Sequence, residues 1–156
     1  MVNYIKVVVM SDSHGYSGNV YFVMQKENDA HYMFHLGDVC DWPDIFDGLV
    51  IIKGNNDYFD LPDKLVTEIG GLRFFLIHSH RQSGFNLKNR LANLAKENDC
   101  DIVLYGHTHM YNDDYIDGIR LLNPGSLYYN RDGSNIGYII IKIYENREYE
   151  VIRKFL

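Results

Sequence analysis

VVVMSDSHGYSGN, residues 7–19, begins with four apolar residues and turns polar at Ser11. A short apolar run bounded by Ser, Asp and Gly reads as a strand. Just past its end stand Asp12 and His14, a carboxylate and an imidazole two positions apart. The same transition recurs. Tyr32–Leu36 leads into Gly37-Asp38, Leu49–Ile52 into Lys53-Gly54-Asn55-Asn56-Asp57, Leu72–Ile77 into His78-Ser79-His80, and Ile102–Tyr105 into Gly106-His107-Thr108-His109. Including Ile5–Met10, five strand-like runs end in residues that bind metals.

Helical periodicity separates some of these runs. Val20–Asn28 places Val20, Val23, Met24 and Glu27 on one face, and Leu87–Asn98 repeats Leu87, Leu91, Leu94 and Ala95 at helical spacing. Alternating strand and helix indicates an α/β domain with helices covering sheet faces. Tyr115–Asp117, Ile119–Leu122, Tyr138–Tyr144 and Tyr149–Phe155 then read as strands joined by DG, DGSN and ENRE turns, with no helix between. This predicts two packed sheets, one built from the early strands and one from the late strands. With no repeat or linker, residues 1–156 read as a single domain.

In open α/β sheets, ligands sit outside the carboxyl ends of the strands, so the five polar ends should share one crevice. Residues two apart on extended backbone point the same way, which predicts that each D-x-H or H-x-H pair faces it together. Gly37, Gly54 and Gly106 precede candidate ligands, where glycine permits sharp turns and close approach. Seven donors are then available: Asp12, His14, Asp38, Asn55, His78, His107 and His109. Two ions about 3.5–4 Å apart, sharing one carboxylate, would use them all. Mixed oxygen and nitrogen ligands suit manganese, iron, zinc, cobalt or nickel better than calcium or magnesium.

The bulk properties narrow the partners. A net charge of −6 without a basic patch argues against an extended nucleic-acid surface or an anionic membrane. No apolar stretch approaches the ~20 residues of a bilayer span, and MVNYIKVVVM reads as a strand rather than a signal peptide. Cys40 and Cys100 form no CxxC motif and read as free thiols in a cytoplasmic protein. His31 reads as an ordinary partnered side chain, and His35 as support behind the ligands. Thirteen tyrosines, including Tyr128-Tyr129, leave room for a homo-oligomer face, although sheet packing explains them as well.

The ordered set D-x-H, G-D, G-N-x-D, H-x-H, G-H-T-H resembles the calcineurin-like metallophosphoesterase superfamily, over roughly residues 5–131. The length resembles its smallest, single-domain branch, the YfcE-type phosphodiesterases. The resemblance implies a sandwich of two mixed β-sheets flanked by helices. It implies that Asp12, His14 and His109 hold one ion, that Asn55, His78 and His107 hold the other, and that Asp38 bridges them. It further implies two divalent transition-metal ions, manganese foremost, and attack by a metal-bridging hydroxide on phosphorus.

The chain also departs from the larger family. Asn56 occupies the position of a histidine that protonates the leaving group in related phosphomonoesterases, and Asn cannot act as an acid near neutral pH. Trp42 replaces an arginine that helps hold phosphate, and Asn130 replaces a frequent proline. These differences favour diesters with good leaving groups. His80, Asn56 and Arg131, which follows the N-P-G-S segment Asn123–Ser126, remain candidates for substrate binding or proton transfer. Two rival readings are a phosphomonoesterase and a binding scaffold like the family's retromer coat subunit. Retention of all seven donors ranks the scaffold below a phosphodiesterase, and a phosphomonoesterase would need a replacement for the imidazole missing at Asn56.

Overall fold

The computed structural model describes residues 3–156. The run that opened the sequence forms β1 (Tyr4–Met10), and its alternation divides it between two cores. Val7 and Val9 face a layer between two sheets, where they meet Phe34, Leu36, Ile52, Phe74, Leu76, Leu104, Ile139 and Ile141. Val8 and Met10 face outward, against Val20 and Val23 of helix α1 (Ser17–Lys26). Both faces are therefore buried, which is why the strand is apolar without interruption.

The first sheet has the order β10-β9-β1-β2-β3, where β2 is Tyr32–His35, β3 is Leu49–Ile51, β9 is Gly137–Tyr144 and β10 is Tyr149–Phe155. The second has the order β4-β5-β6-β8-β7, where β4 is Lys64–Ile69, β5 is Leu72–Ile77, β6 is Ile102–Tyr105, β7 is Asn112–Ile116 and β8 is Ile119–Asn123. Helix α2 (Leu87–Glu97) covers the outer face of the second sheet, with Leu91 and Ala95 against Phe75, Val103 and Tyr105. The architecture is the expected αββα sandwich of two mixed sheets.

The expected division into an early and a late sheet is wrong, because each sheet mixes strands from both parts of the chain. Most of β9 is buried, so it cannot form an edge. It pairs antiparallel with β1 on one side and β10 on the other. Strand β4 was absent from the sequence reading. Its sequence KLVTEI leaves one side exposed as an edge strand, so no apolar run marks it. For the same reason β7 begins at Asn112, earlier than the expected Tyr115.

The parallel strands β1, β2 and β3 of one sheet, and β5 and β6 of the other, release their loops at one end of the sandwich. Those loops are bonded to one another: Asp12 N–H donates to Gly37 O at 3.0 Å, and His14 N–H to Asp38 O at 2.9 Å.

One buried charge lies within the first sheet. Lys6 is only 8% exposed, and its Nζ lies 2.6 Å from Asp29 and 3.5 Å from Glu27. Burial works to lower the Lys6 pKa, but the Asp29 and Glu27 carboxylates outweigh it and raise it. Glu27 also accepts from Tyr138 Oη at 3.2 Å. His31 accepts the Lys6 N–H at 2.9 Å, the ordinary partnered role expected of it. Lys6→Met should strand Glu27 without its cation and lower unfolding free energy by about 3 kcal/mol in urea titration. Adding Glu27→Leu should restore most of that loss.

Candidate metal centre

The site begins where backbone strain accumulates. Asp12, His14, Asp38, His107 and His109 all have positive φ, at 53°, 47°, 57°, 73° and 56°. Left-handed backbone is uncommon in non-glycine residues, and such strain persists where the surroundings enforce it. The D-x-H and H-x-H pairs therefore do not converge through extended backbone, as the spacing had suggested. Asp12 with His14 and His107 with His109 share the site because the chain turns sharply at each. The His78 and His80 rings lie 5.5 Å apart, with only His78 in a donor group.

Close packing holds these turns. A Cβ on Gly54 would collide with Asp38 N and Oδ1, and one on Gly106 would collide with Ser11 Oγ and lie 2.7 Å from Asp12 Oδ2. Asp57 clasps the same loops. Its Oδ2 accepts from Asp38 N at 2.8 Å and Gly54 N at 2.7 Å, and its Oδ1 accepts from Cys40 N at 2.9 Å. Asp57 was visible as the last residue of G-N-x-D but had no assigned role. Ser126, the last residue of N-P-G-S, donates Oγ to Asp12 O at 2.7 Å.

Within this frame the donors converge. His14 Nε2 and His109 Nε2 are 3.0 Å apart, and Asp12 Oδ1 lies 3.3 Å from the latter. Asp38 Oδ2 stands 3.4 Å from His14 Nε2 and 3.5 Å from His78 Nε2. Asn55 Oδ1 lies 3.0 Å from His78 Nε2 and 3.1 Å from His107 Nδ1. Asp12, His14 and His109 form one group with metal-ligand spacing, and Asp12, Asp38 and His78 form another. A third comprises Asp38, Cys40 and Asp57, of which Asp57 is engaged by backbone amides. Burial, with the Asp38 and Asp57 charges, pushes the Cys40 thiol up to about 12. The Asp57 oxygens already accept three amide bonds.

The protonation pattern shows what the site is built to receive. His78 Nδ1 lies 2.8 Å from Leu36 O, and His109 Nδ1 lies 2.9 Å from Tyr129 O. Each Nδ1–H thus donates to a carbonyl, which turns the Nε2 lone pair inward. Asp12 Oδ1 is buried and has no hydrogen-bond donor. Burial works to raise the Asp12 and Asp38 carboxyl pKa values, but the facing imidazoles and hydrogen-bond donors hold both down. The result is a buried set of ionised oxygens and imidazole lone pairs at mutual distances that require positive charge between them. The residues present therefore fit divalent cations.

The tentative residues separate. Arg131 lines the cleft of about 390 Å³ over these donors, with Tyr128 and Tyr129 beside it. Asn56 donates N–H to Asp38 Oδ1 at 2.8 Å and its amide to Asp38 Oδ2 at 2.9 Å, so it orients the carboxylate. His80 is partly exposed beside His78 and His107, with ring centroids 5.5 and 6.3 Å away.

Residues 5–146 match the family model described as the calcineurin-like phosphoesterase superfamily domain. The chain belongs to that superfamily. A probable metallophosphoesterase of Mycoplasma pneumoniae is 34% identical over 127 residues, covering 78% of this chain and 79% of that protein. The structure of a predicted phosphoesterase from Streptococcus pneumoniae TIGR4 superposes with a TM-score of 0.83 at 27% identity, covering 99% of this chain and 100% of that one. A structure described as a novel archaeal phosphodiesterase gives 0.69 at 27% identity, over 96% and 100%. Vacuolar Protein Sorting 29 from Cryptosporidium parvum shares the fold, at 0.76 and 18% identity over 97% of each chain.

His35 sits fully buried behind the phosphoesterase site, 2.9 Å from Ser13 Oγ through Nε2, and it accepts Gly37 N–H on Nδ1 at 3.2 Å. Burial, only partly offset by Asp12 and Asp57, lowers its pKa to about 4. In the unfolded chain His35 takes up its proton near pH 6.5, well before the folded state does, so stability falls as pH drops from 6.5 towards 4. At pH 5 this single group should cost about 2 kcal/mol. His35→Gln should therefore lose less stability between pH 7 and pH 5 than the parent, as measured by thermal melts.

Proposed function

We propose that the protein is a phosphodiesterase that works with two divalent transition-metal ions, manganese foremost. The observation that carries this reading is the position of Asp38 Oδ2, between His14 Nε2 at 3.4 Å and His78 Nε2 at 3.5 Å. Each of those imidazoles leads one of two donor sets. Asp12, His14 and His109 would hold one ion and Asn55, His78 and His107 the other, with Asp38 available to both. Asp12 Oδ1 is less central, at 3.3 Å from His109 but 3.8 and 3.9 Å from His14 and His78. Bound there, such ions acidify water and neutralise phosphoryl oxygens.

The chain's own residues supply the rest. Asn56 fixes the Asp38 carboxylate, and Arg131 offers the cleft a planar guanidinium suited to a phosphoryl oxygen. Two divalent cations would shift the net charge from −6 to −2 and leave the cleft positive. Asn56 has no acidic proton, so it cannot protonate the leaving oxygen, and His80, its ring 6.3 Å from that of His107, is the remaining candidate. An asparagine at position 56 favours diesters whose leaving groups need no acid. The archaeal relative described as a phosphodiesterase supports this choice over a phosphomonoesterase. The likeness to Vacuolar Protein Sorting 29 favours an assembly scaffold, but that likeness is one of fold. A cytoplasmic location agrees with two unpaired cysteines, and no helix among the described residues is long and apolar enough to cross a membrane.

After chelation and return of manganese, bis-p-nitrophenyl phosphate should be hydrolysed faster than p-nitrophenyl phosphate, which has the same leaving group but carries a second negative charge into a site where Trp42 stands in place of an arginine. Absence of turnover with every first-row divalent metal would refute an enzymatic role. Metal analysis should find both ions depleted in Asp38→Asn and mainly one in His14→Ala. Two full sites in Asp38→Asn would contradict the bridge.

A further inference from the structure

Two aromatic clusters border the cleft. Tyr16 stacks on Tyr128 with centroids 4.9 Å apart and planes 27° apart, and Tyr128 in turn lies 5.5 Å from the His14 ring. Tyr16 remains 57% exposed. A second, smaller cavity of about 250 Å³ contains Trp42, Tyr58 and Phe59. Trp42 packs against Phe59 at 4.7 Å and is still 63% exposed, and Tyr58 is 93% exposed. Asn56 lines both this cavity and the cleft. A phosphorus held over Asp38 would therefore have one aromatic cluster in its own cleft and a second in the cavity that adjoins it at Asn56.

Single exposed aromatics are common and need no explanation. These form two clusters, each bordering the same catalytic cleft. A phosphodiester has two organic arms, and planar rings stack on aromatic faces whatever their hydrogen-bonding pattern. The overall charge of −6 disfavours a long polyanion. Resting on the phosphodiesterase reading above, we propose that the substrate is a short nucleoside diester, with one base against Trp42 and Phe59 and the other against Tyr16 and Tyr128.

Two esters with one leaving group separate recognition from chemistry: the p-nitrophenyl ester of thymidine 5′-phosphate and ethyl p-nitrophenyl phosphate. Stacking of one base is worth ~1–3 kcal/mol, or about 5- to 150-fold. The manganese-loaded protein should prefer the nucleoside ester in kcat/KM by at least about fivefold, and Tyr16→Ala or Trp42→Leu should erode that preference through KM. Trp42 is the sole tryptophan, so its emission reports occupancy without turnover. Thymidylyl-thymidine should quench it saturably, and diethyl phosphate should not. Equal kcat/KM for the two esters with unaltered emission would overturn the proposal. So would emission that follows protein concentration and ignores the dinucleotide, which would assign the Trp42 face to a second copy of the chain. Quenching without hydrolysis of either ester would uphold base recognition and remove the catalytic reading.

Discussion

Asp12 and Asp38 are ionised carboxylates buried at 1% and 2% exposure, and only positive charge makes that burial tolerable. Amides and hydroxyls satisfy part of each, but Asp12 Oδ1 has no donor and faces imidazole lone pairs. Much of the surrounding structure serves this arrangement. Gly54 and Gly106 lack side chains so that the carboxylates can pack against backbone. Asp57 and Ser126 tie down the loops that carry them. Two histidines bond carbonyls through Nδ1 so that Nε2 points inward.

The centre also joins the two sheets. Asp12, His14, Asp38 and Asn55 follow strands of the first sheet, whereas His78, His107 and His109 follow strands of the second. Neither sheet alone carries the full donor set. The apolar layer between them, with Val7 and Val9 on one side and Phe74 and Leu76 on the other, therefore sets the spacing of the site. A core that resists compression gives a metal centre tolerances of tenths of an ångström. Large-to-small changes in that layer act on the site through the relation between the sheets.

Much of this was readable in the residues. Fully buried strands are apolar on both faces, and the abrupt change to Asp, Asn and His at their ends marks the crevice. Edge strands left no such mark, which is why β4 was absent from the sequence reading and β7 was displaced. The sheet assignment failed because adjacency in the chain does not decide pairing when a strand such as β9 must be covered on both sides. The donor residues could be named from order and spacing, but not how they meet: positive φ at five of them replaced the extended geometry that alternation suggests. Asp57 was quoted in a motif, yet its clasp on three backbone amides is a tertiary fact.

The central claim is that two neighbouring cations occupy the end of the sandwich and share Asp38. Anomalous diffraction from manganese-soaked crystals tests it most directly. The account predicts two peaks on either side of the Asp38 carboxylate, one within bonding distance of Asp12, His14 and His109 and the other of Asn55, His78 and His107. A single peak, or two peaks that leave Asp38 uncoordinated, would contradict it.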